Sequence, residues 1–183
     1  YSNNISWENV ALVQELGKYF SCGIRISNDA NCAALGEVKA GAAKDVSNAI
    51  LLTLGTGVGG GIILNGKVFE GSNAGGAELG HISMIMGGEP CTCGRRGCVE
   101  AYASATALIR DAKRAAAADR NSLMNQMCGG KIENMNGKIP FDAALEGDEA
   151  AKEVVENYYT YLAEAIANYV NIFRPDAVLL SGG

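Results

Sequence analysis

The chain has 183 residues, of which 48% are apolar and 19% charged, with a formal net charge of -5 at pH 7. That is enough apolar material for one ordinary domain or a piece of a two-domain protein, and the alanine-rich, helix-forming composition is unlike a small scaffold stapled by disulfides. The acidic balance without a basic run argues against nucleic acid as a partner of this stretch, and no apolar run approaches the ~20 residues a bilayer needs, so a cytoplasmic setting without membrane contact is expected.

Residues 1–7 are polar and turn-like. Val10, Val13, Leu16 and Phe20 recur at intervals of three and four, which predicts a helix over 10–20 ended by Gly23, and residues 24–26 alternate as a short strand. Ser27-Asn28-Asp29-Ala30-Asn31 then opens a run of good helix formers. Asn28 and Asp29 either only cap that helix, or they set a carboxylate at the mouth of an α/β sheet, where ligands usually bind. Residues 49–54 predict a buried strand and 62–64 its partner. Between them, Gly55-Thr56-Gly57-Val58-Gly59-Gly60-Gly61 either lets backbone N–H groups surround an anion or makes a tight glycine hairpin. It lacks the lysine of a P-loop. Asn65-Gly66 predicts a two-residue hairpin turn and 67–69 the return strand. In the loop of small residues at 72–76, Gly75 either lets a ligand lie against bare backbone or is a plain loop residue.

Residues 77–102 read A-E-L-G-H-I-S-M-I-M-G-G-E-P-C-T-C-G-R-R-G-C-V-E-A-Y and gather the single histidine and three of the six cysteines. His81, Cys91, Cys93 and Cys98 supply the imidazole and thiolate ligands that Zn2+ prefers in a closed tetrahedral site. The spacing C-x-C followed by C-x4-C forces a tight loop with little apolar surface, and a bound metal would hold it, because binding free energy becomes local folding free energy. Free or disulfide-linked thiols are the alternative. Cys22, Cys32 and Cys128 read as reduced thiols, with Cys22 and Cys32 packed.

A helix is predicted from Glu100 to about Ala118, with the Glu100 carboxylate in its first turn. Residues 119–140 read as a short helix and a loop, a variable insertion whose methionines fill gaps. A short helix over 141–145 is broken at Gly147, and Asp148 can cap a long helix over 149–173, whose apolar stripe reads as core packing. Arg174-Pro175-Asp176 stops it, and 177–180 reads as a buried strand.

The motif E-x-G-H at Glu78 to His81, followed by C-x-C-G-x-x-G-C-x-E at Cys91 to Glu100, resembles the ROK family of bacterial sugar kinases and sugar-responsive repressors. The likeness covers nearly the whole chain, with Asn28-Asp29 as a second strong motif and the two glycine loops as weaker ones. It implies an α/β, RNase H-like (actin-like ATPase) sugar kinase fold. Residues 1–46 would end a smaller N-terminal domain, and 47–183 would form the larger domain with a zinc loop, incomplete at its C-terminus. It implies Asp29 as the base that takes the proton from a sugar hydroxyl. Asn28, Glu78, His81 and Glu100 would hold the sugar, and His81, Cys91, Cys93 and Cys98 the Zn2+. Gly55, Thr56 and Gly57 would lie near the phosphates of ATP. Carboxylates and a metal-fixed imidazole suit the reading of hydroxyls. Asn4 would be a sugar contact, and Ser181-Gly182-Gly183 the start of an adenosine loop. Family members usually form dimers or tetramers. The family's first phosphate motif, which also helps to hold Mg2+, has no counterpart in these residues, so the stretch reads as an excised fragment that alone would not turn over ATP.

The expected function is therefore ATP-dependent phosphorylation of a hexose, glucose first, within a longer kinase. A sugar-sensing repressor with its DNA-binding part elsewhere is the second expectation, and Thr56 in the glycine loop favours the kinase. A zinc-stabilised interaction module without a sugar site is the third, and it leaves the polar cluster at 28, 29, 78, 81 and 100 without a reason.

Overall fold

A computed structural model of the chain describes residues 8–182. In chain order the elements are α1 (Leu12–Gly17), α2 (Asp29–Ala40), β1 (Ala49–Leu54), β2 (Val58–Leu64), β3 (Lys67–Val68), α3 (Glu100–Ala103), α4 (Ala105–Ala118), α5 (Leu123–Met127), α6 (Ile139–Leu145), α7 (Glu149–Phe173) and β4 (Ala177–Gly182). Short 3-10 turns lie at Leu79–His81 and Ile132–Asn134.

The strands form one mixed sheet in the order β3-β2-β1-β4. β1 runs antiparallel to β2, with Ala49 opposite Ile63, and parallel to β4, with Ala49 opposite Ala177. The β2–β3 turn has positive φ at both central residues, Asn65 (51°) and Gly66 (73°), which is why Asn-Gly is found there. Alternation along β1 feeds two cores. Ile50 and Leu52 join Leu162, Ala165 and Tyr169 of α7 on one face, and Ala49 and Leu51 join Ala34 and Val38 of α2 on the other. A strand buried on both faces is therefore continuously apolar. A third cluster, including Leu108, Met124, Cys128, Met135, Ile139 and Val154, unites α4 to α7.

The glycine run is divided between two jobs. Only 55–57 is a turn, because β2 begins at Val58 rather than at 62. A Cβ on Gly61 would collide with the carbonyl of Ala30 and the side chain of Ala34, and one on Gly60 with Leu79 and the Ala77 carbonyl. These glycines let α2 lie against one face of the sheet and the Leu79 turn against the other.

The other differences from expectation are local. The helix expected over 10–20 is limited to Leu12–Gly17 and buries no residue. No strand forms at 24–26. The helix expected over 100–118 breaks at Ser104, whose hydroxyl caps α4 by accepting from the Ala107 amide at 3.0 Å. β3 stops before Phe69, and α6 starts at Ile139, with Pro140 in its first turn. β4 is half-buried and then exposed, because it is the sheet edge among the described residues, and Leu180 is 54% exposed. Cys22 and Cys32 are exposed rather than packed, whereas Cys128 is buried. Met124 and Met135 are buried among the helices. No described helix is long and apolar enough to cross a membrane.

Candidate active site and metal centre

His81 stands at the end of the 3-10 turn, and the cysteine loop folds back over it through paired backbone bonds, Met84 N to Gly97 O at 2.7 Å and Gly97 N to Glu89 O at 2.8 Å. Gly97 has φ of +80°, and a Cβ there would collide with the Ile85 carbonyl, so the reversal needs glycine. The loop is also bolted to α4. Arg114 donates to the Glu89 carboxylate at 2.6 Å, and that bond, with Arg110 and Arg96 nearby, holds the Glu89 carboxyl below its ordinary value. The Tyr102 hydroxyl accepts from the Glu89 amide at 2.6 Å.

The donor atoms of His81, Cys91, Cys93 and Cys98 all lie within 4.8 Å of one another and could hold a metal ion. A zinc ion with bonds of about 2.3 Å to sulfur and about 2.0–2.1 Å to nitrogen in a tetrahedron sets edges of about 3.8 Å (S to S) and about 3.6 Å (N to S). Cys93 Sγ and Cys98 Sγ are 3.7 Å apart, and Cys91 Sγ is 3.5 Å from His81 Nδ1. The fit leaves Nε2 of His81 outside the donor set. Burial, with Cys91 and Cys93 beside it, pushes the Cys98 thiol up to about 12, whereas the Arg95 amide lowers Cys93. A buried thiol that resists ionisation becomes a thiolate ligand when a cation offsets the charge.

A cavity of about 410 Å³ opens where the carboxyl end of β1, the glycine turn and the turn bearing Glu78 and His81 meet. Asp29, Gly55, Thr56, Gly57, Glu78, His81 and Glu100 all line it. Residues from 29 to 182 are thus gathered at one mouth, Asp29 by α2, Glu100 by α3, and Ser181 and Gly182 by β4. Among the described residues, the amides of Thr56 and Gly57 donate to no backbone carbonyl, which is the arrangement an anion-binding turn presents. The carbonyl side of that turn is tied down instead, Gly55 O to the Ala105 amide and Thr56 O to the Thr106 hydroxyl, both at 2.8 Å.

Asn28, expected to hold the sugar, does not line this cavity. It caps α2, its Oδ1 accepting from the Asn31 amide at 3.2 Å, so the capping reading is realised in its geometry. Asp29, the first helical residue, is exposed, and its Oδ1 accepts from the Ala30 amide at 2.9 Å. Gly75 is exposed and lies outside the cavity lining, and Asn4 lies outside the described residues. Glu100 touches two segments. Its Oε1 accepts from the Thr92 hydroxyl at 2.8 Å and lies 3.6 Å from Cys91 Sγ, and its Oε2 accepts from the Val58 amide at 3.1 Å.

Two features escaped the sequence pattern. Tyr169, counted only in the apolar stripe of α7, donates its fully buried hydroxyl to the Leu79 carbonyl at 2.7 Å, inside the turn that carries Glu78 and His81. Desolvation raises its pKa, so it stays a donor. The available signal was chemical, since a tyrosine at a core position needs a partner for its hydroxyl. The second is a neighbouring cavity of about 820 Å³, which shares Leu54, Ser181 and Gly182 with the first and brings in Asn136, Lys138 and Phe141 from the segment around α6.

The ROK family profile matches residues 1–183. The chain is 40% identical over 177 residues to a glucokinase of Thermotoga maritima, a match spanning 97% of this chain and 56% of that protein. It is 31% identical over 180 residues to a xylose repressor of Bacillus spizizenii, across 98% of this chain and 43% of the repressor. A ROK family glucokinase from Streptomyces griseus, solved in complex with glucose and AMPPNP, superposes with a TM-score of 0.87 at 34% identity, covering all of this chain and 59% of that one. The chain spans about half the length of the glucokinases it matches.

Proposed function

The chain belongs to the ROK family, and on that premise we propose that it supplies the sugar site and part of the nucleotide site of an ATP-dependent hexose kinase, with glucose as the first candidate substrate. The observation that carries the reading is the shared cavity. A carboxylate at a helix start, two more carboxylates with an imidazole, and a turn with free amides line one space of about 410 Å³. Glucokinases at about 40% identity support a sugar kinase.

In this reading Asp29 accepts the proton of the attacking sugar hydroxyl, a task within reach of an ordinary carboxylate, because phosphoryl transfer depends mainly on positioning and charge stabilisation. Glu78, His81 and Glu100 read the remaining hydroxyls, with Asn28 at the rim. The amides of Thr56 and Gly57 face the transferring phosphate of ATP, which would arrive with Mg2+. The ribose and base extend into the adjoining cavity past Ser181 and Gly182. His81, Cys91, Cys93 and Cys98 would hold Zn2+, whose part is to fix the loop and orient the imidazole. With Nδ1 on the metal, Nε2 carries the proton and donates to a sugar oxygen. Residues 1–46 would end a smaller domain and 47–183 would belong to a larger RNase H-like domain, with α2 packed against its sheet. A cytoplasmic homodimer or homotetramer completes the proposal.

A second reading rests on the xylose repressor likeness. There the same cavity senses a sugar and the DNA-binding part lies outside this stretch. A coupled ATP-consumption assay on the complete protein with a panel of hexoses decides between them. Turnover driven by one sugar supports the kinase. Absence of turnover with a sugar-dependent rise in melting temperature supports the sensor.

A further inference from the structure

Glu100 has both carboxylate oxygens engaged by segments that serve different ligands. On one side Oε1 accepts from the Thr92 hydroxyl at 2.8 Å. Thr92 is the residue between Cys91 and Cys93, so this bond ties the carboxylate to the metal loop. On the other side Oε2 accepts from the Val58 amide at 3.1 Å, at the exit of the glycine turn. The fit there is close. A Cβ on Gly57 would collide with Glu100 Oε2, and one on Gly80, in the turn bearing Glu78 and His81, would collide with the Val58 carbonyl. Val58 thus has its amide bonded to Glu100 and its carbonyl packed close against Gly80 of the sugar-side turn. A carboxylate offers about four lone-pair positions; Thr92 and Val58 take two and Cys91 Sγ lies 3.6 Å from Oε1, which leaves at least one for a hydroxylated ligand.

We propose that Thr92 is a positioning residue which, through Glu100, locks the metal loop to the glycine turn, so that one carboxylate couples the sugar subsite to the phosphate subsite. The proposal rests on the sugar kinase reading above. It assigns a role to the side chain between two metal ligands and a second role to Glu100, a strut as well as a sugar contact. A charge-assisted bond of this kind outweighs a neutral one. Because energetic coupling between two binding sites is reciprocal, a change made on either side of the carboxylate reaches the other.

The test uses the complete protein, with bound metal counted and with hexose and a nonhydrolysable ATP analogue titrated separately by calorimetry. Thr92 is exposed, so replacing it leaves the core untouched. Thr92→Val is expected to keep its full metal content and to bind both hexose and nucleotide about tenfold more weakly, and Thr92→Ser is expected to restore both. Gly57→Ala, made on the phosphate side, is expected to weaken hexose binding as well. The proposal is overturned if Thr92→Val leaves nucleotide affinity unchanged, if it loses metal along with both affinities, or if Gly57→Ala leaves hexose affinity unchanged. A wild-type protein that binds hexose but neither binds nor consumes ATP sinks the kinase reading and the proposal together. An active wild type with unaffected variants sinks the proposal alone.

Discussion

Tyr169 carries a single buried hydrogen bond that joins the longest helix to the turn holding Glu78 and His81. Tyr169→Phe removes the donor, keeps the ring and leaves the Leu79 carbonyl with only the long 3.4 Å bond from the Ile82 amide. A cost of about 0.5–1.5 kcal/mol is expected in denaturant unfolding, together with weaker hexose binding, and an unchanged unfolding midpoint would show that the bond contributes little. At this scale the clustering of His81 with three cysteines was legible and the bond of Tyr169 was not. Cysteine and histidine at short spacing have few structural uses, so His81, Cys91, Cys93 and Cys98 could be read as one set. A tyrosine in an apolar stripe looks like any other core residue until the partner of its hydroxyl, 90 positions away, is known. Asn28 shows the converse. Its capping bond was as readable as its ligand role, and it makes the capping bond.

Among the elements, β2 shows how glycine can mislead. Gly59, Gly60 and Gly61 suggest a phosphate loop when counted with Gly55 and Gly57, yet they lie in a strand, where Gly61 gives α2 room to seat its first turn and Gly60 admits the Leu79 turn on the other face. Gly61→Ala pushes against the Ala30 carbonyl, one residue from Asp29. The overpacking is expected to cost about 1–3 kcal/mol and to lower kcat by displacing the carboxylate, with thermal unfolding and steady-state kinetics as the readouts; normal stability and rate would contradict the packing role. Asp148 starts α7, accepting from the Ala151 amide at 2.7 Å and also from the Leu123 amide of α5. Burial raises its carboxyl, but the Ala151, Leu123 and Ala150 amides and the Ser122 hydroxyl outweigh this and hold it below the ordinary value. A carboxyl lowered in the folded state adds stability that is present above its unfolded value and is lost as pH falls through its folded one. Asp148→Ala is therefore expected to cost about 1 kcal/mol at pH 7, with a gap to wild type that closes below about pH 4. A gap independent of pH would reject the ionised cap. The long α7 and the buried β1 were legible because their periodicity matches their burial. The stripe over 10–20 promised more than it forms, because α1 buries none of its residues.

For the whole molecule, the sheet order β3-β2-β1-β4 and the crossover through α7 place Asp29, the 55–57 turn, the turn bearing His81 and the end of β4 around one mouth. The likeness to the ROK family could be read from its motifs, and the profile match over residues 1–183 bears it out. Local pattern could not supply the meeting of the two cavities at Ser181 and Gly182, nor the approach of Asn136 and Lys138 to the second one. Both depend on how helices far apart in sequence stack. The proposed role of Asp29 is to take the proton while other residues hold the sugar. Its most direct test is the complete protein with Asp29→Ala, measured for hexose-dependent ATP turnover and separately for hexose affinity. A loss in kcat of about 10²–10⁴-fold with hexose affinity kept within a few-fold is predicted, and turnover near the wild-type rate would contradict it.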